Sequence, residues 1–305
     1  MYLEHYRLRE PPFALTPDTG FFFSHASHQE ALNVLLVALR SGEGFIKIVG
    51  EVGTGKTLLC RMLLNTLGPD FVTCYVPDPL LTPSALRLAV AEELGIHCAR
   101  NIGQHGLLKR IHERLIGLAD EGKQVVLCLD EAQSLPDDSL ESLRLLTNLE
   151  TEKFKLLQVV LFGQPELDRR LARPALRQLR QRITFAHSLQ PLDRAGAEGY
   201  VRHRLQTAGH QGPALFTPRA LAKLHRSSGG YPRLLNILCH KALLAAYGTG
   251  AAAVGTPHVR RAIQDSVHPG TRSWFPISER IVRAAGLALA LTAGIGLYVW
   301  RGAVP

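Results

Sequence analysis

The stretch FIKIVGEVGTGKTLLCRMLLNTLG, residues 45–68, constrains this chain more than any other. An apolar run ends without a break on Gly50-Glu51-Val52-Gly53-Thr54-Gly55-Lys56-Thr57, and a segment of helical period follows at once. A GxxxxGK[ST] loop between a strand and a helix is a phosphate-binding loop. Glycines at 50, 53 and 55 let the backbone curl so that its N–H groups, with the positive end of the following helix, cradle phosphate oxygens. In that geometry Lys56 reaches the β- and γ-phosphate oxygens of a nucleoside triphosphate and Thr57 holds Mg²⁺.

Short apolar runs recur at 71–76, 125–130, 156–163 and 183–189, separated by helix-period stretches near 56–67, 83–94, 105–121 and 138–151. Strands buried on both faces and alternating with helices predict an α/β fold with a parallel sheet. The stripe Leu140, Leu143, Leu146, Leu149 is the core face of the helix at 138–151, not a zipper. After Pro191 only helical segments follow, near 194–208, 217–227, 232–247 and 257–266, each set off by Gly, Pro or Thr-Pro. The expected organisation is an N-terminal segment (1–43) packing on the nucleotide site, a phosphate-loop core (44–190), a helical lid (191–267), a linker (268–280) and an apolar helix (281–301).

The natural partner of the loop is VVLCLDEAQ at 125–133, an apolar strand ending in two carboxylates. Asp130 is expected to support Mg²⁺ through its water shell, and Glu131 to polarise the attacking water, which points to hydrolysis and not binding alone. Gln164 follows the strand at 156–163, where its amide either orients water or a γ-phosphate or caps a turn. In LRQLRQRI at 176–183, Arg180 and Arg182 either stabilise transition-state charge on a neighbouring subunit's nucleotide or form a solvated basic face. SGGYPR at 228–233 places Arg233 on the first turn of a helix, from which it can swing over a bound triphosphate.

The order and spacing of these motifs resemble the AAA+ ATPases, and more narrowly the ExeA/GspA-like branch, which includes general secretion pathway protein A and the MSHA-type pilus biogenesis ATPase. The residues that carry the narrower resemblance are YLEHYRLREPPFALTPD at 2–18, HQEAL at 28–32, GEVGTGKT, LDEAQ, GQPEL at 163–167, LRQRI at 179–183 and GYPRLLN at 230–236. The resemblance implies ATP and Mg²⁺ as ligands, a homo-oligomer, an inner-membrane partner protein and a role in building a type IV pilus or type II secretion apparatus. A DNA-associated AAA+ ATPase of the transposition-regulator type is the alternative that shares this core.

The tail bears on that choice. Between Arg283 and Arg301 lie seventeen residues without a charge, AAGLALALTAGIGLYVW. As a helix they rise about 25 Å against a hydrocarbon core of about 30 Å, a short span that flanking arginines complete by snorkelling. The segment reads as a single membrane helix, with a buried C-terminal helix as the other option. Arg272, Arg280 and Arg283 precede it and Arg301 alone follows, so the positive-inside rule keeps the ATPase in the cytoplasm, on the inner membrane. Only four residues follow Arg301, whereas secretion-type members continue past the membrane, which favours the shorter pilus-type role.

The net charge of +9 is a property of the whole field: it suits a phosphate-binding protein beside an acidic leaflet and leaves nucleic-acid binding the less favoured reading. Five scattered cysteines and thirteen histidines form no CxxC or HExxH pattern, so the thiols are expected in the core and no transition-metal site is expected.

Overall fold

The computed structural model describes residues 2–77, 80–97, 102–148 and 155–266. In chain order the helices are α1 (Tyr2–His5), α2 (Ala26–Arg40), α3 (Lys56–Thr66), α4 (Pro83–Glu93), α5 (Gln104–Asp120), α6 (Asp137–Leu146), α7 (Pro165–Leu171), α8 (Arg177–Arg182), α9 (Arg194–Thr207), α10 (Pro218–Ser228), α11 (Pro232–Tyr247) and α12 (Thr256–Ser266). The strands are β1 (Phe45–Gly50), β2 (Phe71–Val76), β3 (Gln124–Leu129), β4 (Leu157–Gly163) and β5 (Ile183–Leu189). They pair in parallel in the order β2-β3-β4-β1-β5. The α/β fold with a parallel sheet is thus as the sequence predicts.

Strands β3 and β4 are apolar but for Gln124 and Gln158, because each of their faces meets a different helical layer. Val125, Leu127 and Leu129 turn to a core built with Leu86 and Val90 of α4, Leu107 and Ile111 of α5, and Leu140 and Leu143 of α6. Val126 and Cys128 turn the other way, onto Leu32 and Leu35 of α2 and Leu59 and Leu63 of α3. Each such buried aliphatic side chain contributes about 1.5–3 kcal/mol relative to exposure. The sequence reading gave no helix for α2, yet Ala31, Leu32, Leu35, Ala38 and Leu39 recur at helical spacing and cover this face of the sheet. Buried Gln158 on β4 donates its amide to the carbonyls of Leu39 and Glu43, fastening the end of α2 to the strand.

The order of the strands creates the cleft. β1 lies between β4 and β5, in register Val49↔Gly163 with β4, and Leu129 of β3 stands opposite Leu161 of β4. The chain leaves β1 toward β2 on one side of the sheet and crosses from β4 to β5 on the other, so a crevice opens outside the carboxyl ends of these strands. Gly50 ends β1, and Asp130 and Gln164 follow β3 and β4, at that edge.

Residues up to Ala262 form one compact unit. Within it α9 starts on Asp193, which accepts from Gly196 N–H at 2.7 Å, and α10 starts on Thr217, capping Ala220 N–H. Tyr200 of α9 donates to Asn236 Oδ1 of α11 at 3.0 Å. The first residues of the chain lie along this layer: Tyr6 donates to Ala251 O, and buried Arg204 of α9 donates to Pro12 O at 2.5 Å and to Ala14 O at 3.1 Å. Its guanidinium also sits 4.4 Å over the Phe21 ring. From the sheet side Arg61 of α3 donates to Pro17 O at 2.6 Å, so residues 12–17 bridge the two layers.

The helix expected over 138–151 ends earlier, at Leu146, where Thr147 N–H closes on Leu143 O; Leu140, Leu143 and Leu146 are buried as foreseen, and Leu149 lies outside the described residues. Cys60, Cys74, Cys128 and Cys239 are buried, and burial pushes the Cys74 thiol up to about 12; Cys98 lies outside the described residues. The described residues contain no helix long and apolar enough to cross a membrane, and the expected linker (268–280) and membrane helix (281–301) lie outside them.

Gly230 shows how tightly the layers join. Its φ is 79°, its carbonyl accepts from Leu192 N–H at 3.0 Å, and a Cβ there would run into the Leu192 main chain. Gly230→Ala is expected to destabilise by about 2 kcal/mol or more and to lower Tm by about 5 °C. Gly42→Ala, at a similar φ of 76° with nothing near the new Cβ, should cost only about 1 kcal/mol. Thermal unfolding of the two variants side by side checks the difference.

Candidate nucleotide-binding site

A loop that turns its N–H groups inward to bind phosphate has to turn carbonyls outward, and those need donors. Lys56 Nζ donates to Gly50 O at 2.8 Å and to Glu51 O at 3.1 Å. Thr54 donates to Glu51 O from both N–H and Oγ1, at 3.2 and 2.8 Å. Gly53 O accepts from the Arg233 N–H at 3.2 Å, and Thr54 O stands 2.8 Å from His28 Nε2. Gly53 has φ of 79°, and a Cβ there would lie 2.7 Å from Arg233 Cβ, so only glycine permits the first turn of α11 to sit on the loop. Burial holds the Lys56 ammonium below the usual lysine range, against the opposing charges of Glu131, Asp130 and Glu51.

Behind the loop Thr57 Oγ1 donates to Asp130 Oδ2 at 2.6 Å, and Asp130 Oδ1 accepts the Glu131 N–H at 2.9 Å. Asp130 is 2% exposed, and burial raises its pKa despite both bonds. Glu131 behaves oppositely. Burial alone pushes its carboxyl up, but the amides of Gln133 and Gln164 and the charges of Lys56 and Arg233 outweigh it, and the net position is below the usual value. Both amides point at the same oxygen: Gln133 Nε2 donates to Glu131 Oε2, and Gln164 Nε2 reaches it at 3.0 Å. Glu131 also has φ of 49°, a left-handed conformation that costs a non-glycine residue about 1–2 kcal/mol.

Gln133 is a residue of the candidate site that the sequence reading missed. Its Oε1 accepts the Gln164 main-chain N–H at 2.9 Å, and its own carbonyl accepts from Arg170 Nη1 at 2.6 Å. Arg170 is paired in turn with Asp137, so the orientation of Glu131 is braced from α6 and α7. A Gln two residues past the carboxylate pair, in LDEAQ, was the available signal.

A cavity of about 260 Å³ opens in front of the loop. Of the residues singled out in the sequence, Val52, Gly53, Gly55, Lys56, Thr57, Glu131 and Arg233 line it. Gly50, Glu51 and Thr54 shape the loop from behind, Asp130 lies beneath Thr57, and Gln164 acts through Glu131. Arg180 and Arg182 are not among the lining residues: Arg180 is exposed on α8, and Arg182 donates to Arg144 O at 3.4 Å and Thr147 Oγ1 at 3.3 Å. The wall away from the phosphate loop comes from Ala14–Asp18 and from Tyr200, Arg204 and Asn236 of α9 and α11. No motif marked Tyr200 or Arg204, and Asn236, which closes GYPRLLN, was given no role in the sequence reading.

A parallel sheet in this order, with a phosphate loop after β1 and an acidic pair after β3, defines a P-loop ATPase of the AAA class. Residues 39–171 match the family model described as AAA domain. The chain is 45% identical over 251 residues, 82% of its length, to general secretion pathway protein A of Aeromonas hydrophila, and it spans about half (46%) of that relative. It is therefore an AAA ATPase homologous to general secretion pathway protein A, the ExeA/GspA-like branch that its motifs resemble. Among solved structures, the CDC6P protein of Pyrobaculum aerophilum superposes with a TM-score of 0.64 at 18% identity, over 87% of this chain and 73% of that one. The Aeropyrum pernix ORC2 protein, in its ADPNP–ADP complexes, gives 0.60 at 18% identity, over 82% and 72%. At these identities the likeness is one of fold.

The two amides on Glu131 generate a prediction. Gln164→Leu is expected to lower kcat roughly tenfold or more while leaving the Kd for ATP within about twofold, because the amide touches the Glu131 carboxylate and not the loop. Adding Gln133→Leu should bring kcat near the level of Glu131→Gln. Steady-state kinetics with a separate binding measurement distinguishes this from a general loss of the site.

Proposed function

We propose that this ATPase couples ATP hydrolysis to assembly of a type IV pilus or type II secretion apparatus, working as a homo-oligomer held on the cytoplasmic face of the inner membrane by residues 281–301. The observation that carries the cellular assignment is the 45% identity to a general secretion pathway protein; the hydrolytic part rests on the convergence of Lys56, Thr57, Glu131 and Arg233 at one cavity, with Asp130 bonded to Thr57 behind it.

The residues divide the chemistry. Lys56 neutralises phosphate charge in the ground state, and Glu131, kept ionised by Gln133 and Gln164, takes the proton of the attacking water. The Thr57 hydroxyl and the Asp130 carboxylate, hard oxygen groups 2.6 Å apart, fit Mg²⁺ by the nature of their donors. Bound there, Mg²⁺ supplies charge neutralisation at the β- and γ-phosphates. Arg233 is bonded through its main chain to the loop and lines the cavity with its side chain, which lets the helices over 191–267 act as a lid that senses the nucleotide. Of Arg180 and Arg182, Arg180 is the one available to a neighbouring subunit, since it is exposed and Arg182 is engaged with the end of α6.

Lys56→Ala is expected to lose nucleotide binding, and Glu131→Gln to bind ATP normally but turn it over at least about a hundredfold more slowly. In the same assay the rate per subunit rises with concentration for the parent and stays flat for Arg180→Ala. Turnover of Glu131→Gln at the parent rate would show that another group activates the water.

The anchor has its own test. Deleting residues 281–305 should release the protein from membranes with the rate per subunit at matched oligomer concentration unchanged within about twofold, because the site residues end at Asn236. Cells carrying the deletion should fail in pilus or secretion assembly. A truncated chain that aggregates, beside a full-length chain that fractionates as soluble, would return the apolar run to the protein core.

A further inference from the structure

The motif HQEAL at 28–32 takes no part in the chemistry above, yet it brings His28 to the back of the phosphate loop. His28 lies in the first turn of α2, is 7% exposed, and has Nε2 at 2.8 Å from Thr54 O. A carbonyl oxygen only accepts, so Nε2 carries the proton and Nδ1 is the bare nitrogen. Nδ1 is itself buried without a hydrogen-bond partner, where a second proton would be stranded. Burial accordingly lowers the pKa of the ring. The turn that carries it is held from several sides: Gln190 N–H, just after β5, donates to Ser27 Oγ at 3.2 Å, His28 N–H donates to His25 O at 3.0 Å, and His25 lies 3.6 Å from Asp193, the cap of α9.

The peptide joining Thr54 to Gly55 is planar and trans, so its carbonyl and its N–H point in opposite directions. Fixing Thr54 O outward therefore aims the Gly55 N–H toward the cavity that Gly55 lines. Thr54 is 1% exposed, which leaves water little access to replace the imidazole. The fit is mutual, because a Cβ on Gly55 would come within 3.2 Å of His28 Nε2. We propose that His28 is a positioning residue for the nucleotide site, its Nε2–H holding the phosphate loop in the conformation that binds the triphosphate. This rests on the reading of the loop as an ATP site.

The test uses the full chain in detergent, with a fluorescent ATP analogue and Mg²⁺ for Kd and ATP turnover for kcat. The loop grips the phosphates in ground and transition state alike, so losing its support weakens binding more than it slows the chemical step. His28→Leu is expected to raise Kd about tenfold with kcat at saturation within about threefold. His28→Gln, whose amide nitrogen reaches the Nε2 position, should recover most of the affinity; His28→Asn, whose amide reaches only the Nδ1 position, should not. If the Leu variant does not fold by circular dichroism, the difference between Gln and Asn decides. Parent affinity in His28→Leu, or equal Kd values for the Gln and Asn variants, overturns the proposal while leaving the ATPase reading intact. A parent chain that binds no ATP overturns both.

Discussion

A phosphate loop is a stretch of backbone held inside out. Its N–H groups face the ligand, so its carbonyls face the protein, and in a buried setting an unpaired carbonyl costs about 1–3 kcal/mol. In this chain the donors come from three separate places: Lys56 within the loop, His28 from α2, and the main chain of Arg233 at the start of α11. The arrangement of α2 against the sheet, and of α11 against the loop, meets that requirement. The Gly229-Gly230 pair belongs to the same logic, since a left-handed turn packed on Leu192 is what delivers Arg233 to Gly53.

The carboxylates after β3 are adjacent in sequence and opposite in environment. Asp130 is buried under Thr57, and loss of solvent raises its pKa; a cation beside it removes that penalty, which makes it a natural support for a metal. Glu131 is turned out of the strand by a left-handed backbone and steadied at one oxygen by two amides, leaving the other oxygen for water. Strain of about 1–2 kcal/mol at Glu131 is tolerated because Gln133, Gln164 and Arg170 fix the chain around it.

Opposite the loop, the cavity wall is assembled from parts that are far apart in the chain. Arg204 is buried in α9, satisfied by the carbonyls of Pro12 and Ala14 and the face of Phe21, and Arg61 secures Pro17 from α3. The N-terminal residues thus hold to both layers at once and close one side of the space that the loop opens.

The local pattern of residues was enough for the strands, most helices, the phosphate loop and the Asp-Glu pair, because each is written within a few residues: apolar runs of six to eight, helical periodicity, glycines at fixed offsets before Lys56. Even Arg233 was legible, through the Pro and Gly that start its helix. Tertiary structure alone decided the rest. That His28 meets Thr54, that Arg233 N–H meets Gly53 O, and that Arg182 is occupied by the end of α6 are results of packing. The partners of Arg204 lie 190 and 192 residues away along the chain. Such pairings have no local signature, because a hydrogen bond depends on distance and direction in space, and a sequence pattern fixes those only within one turn or one strand.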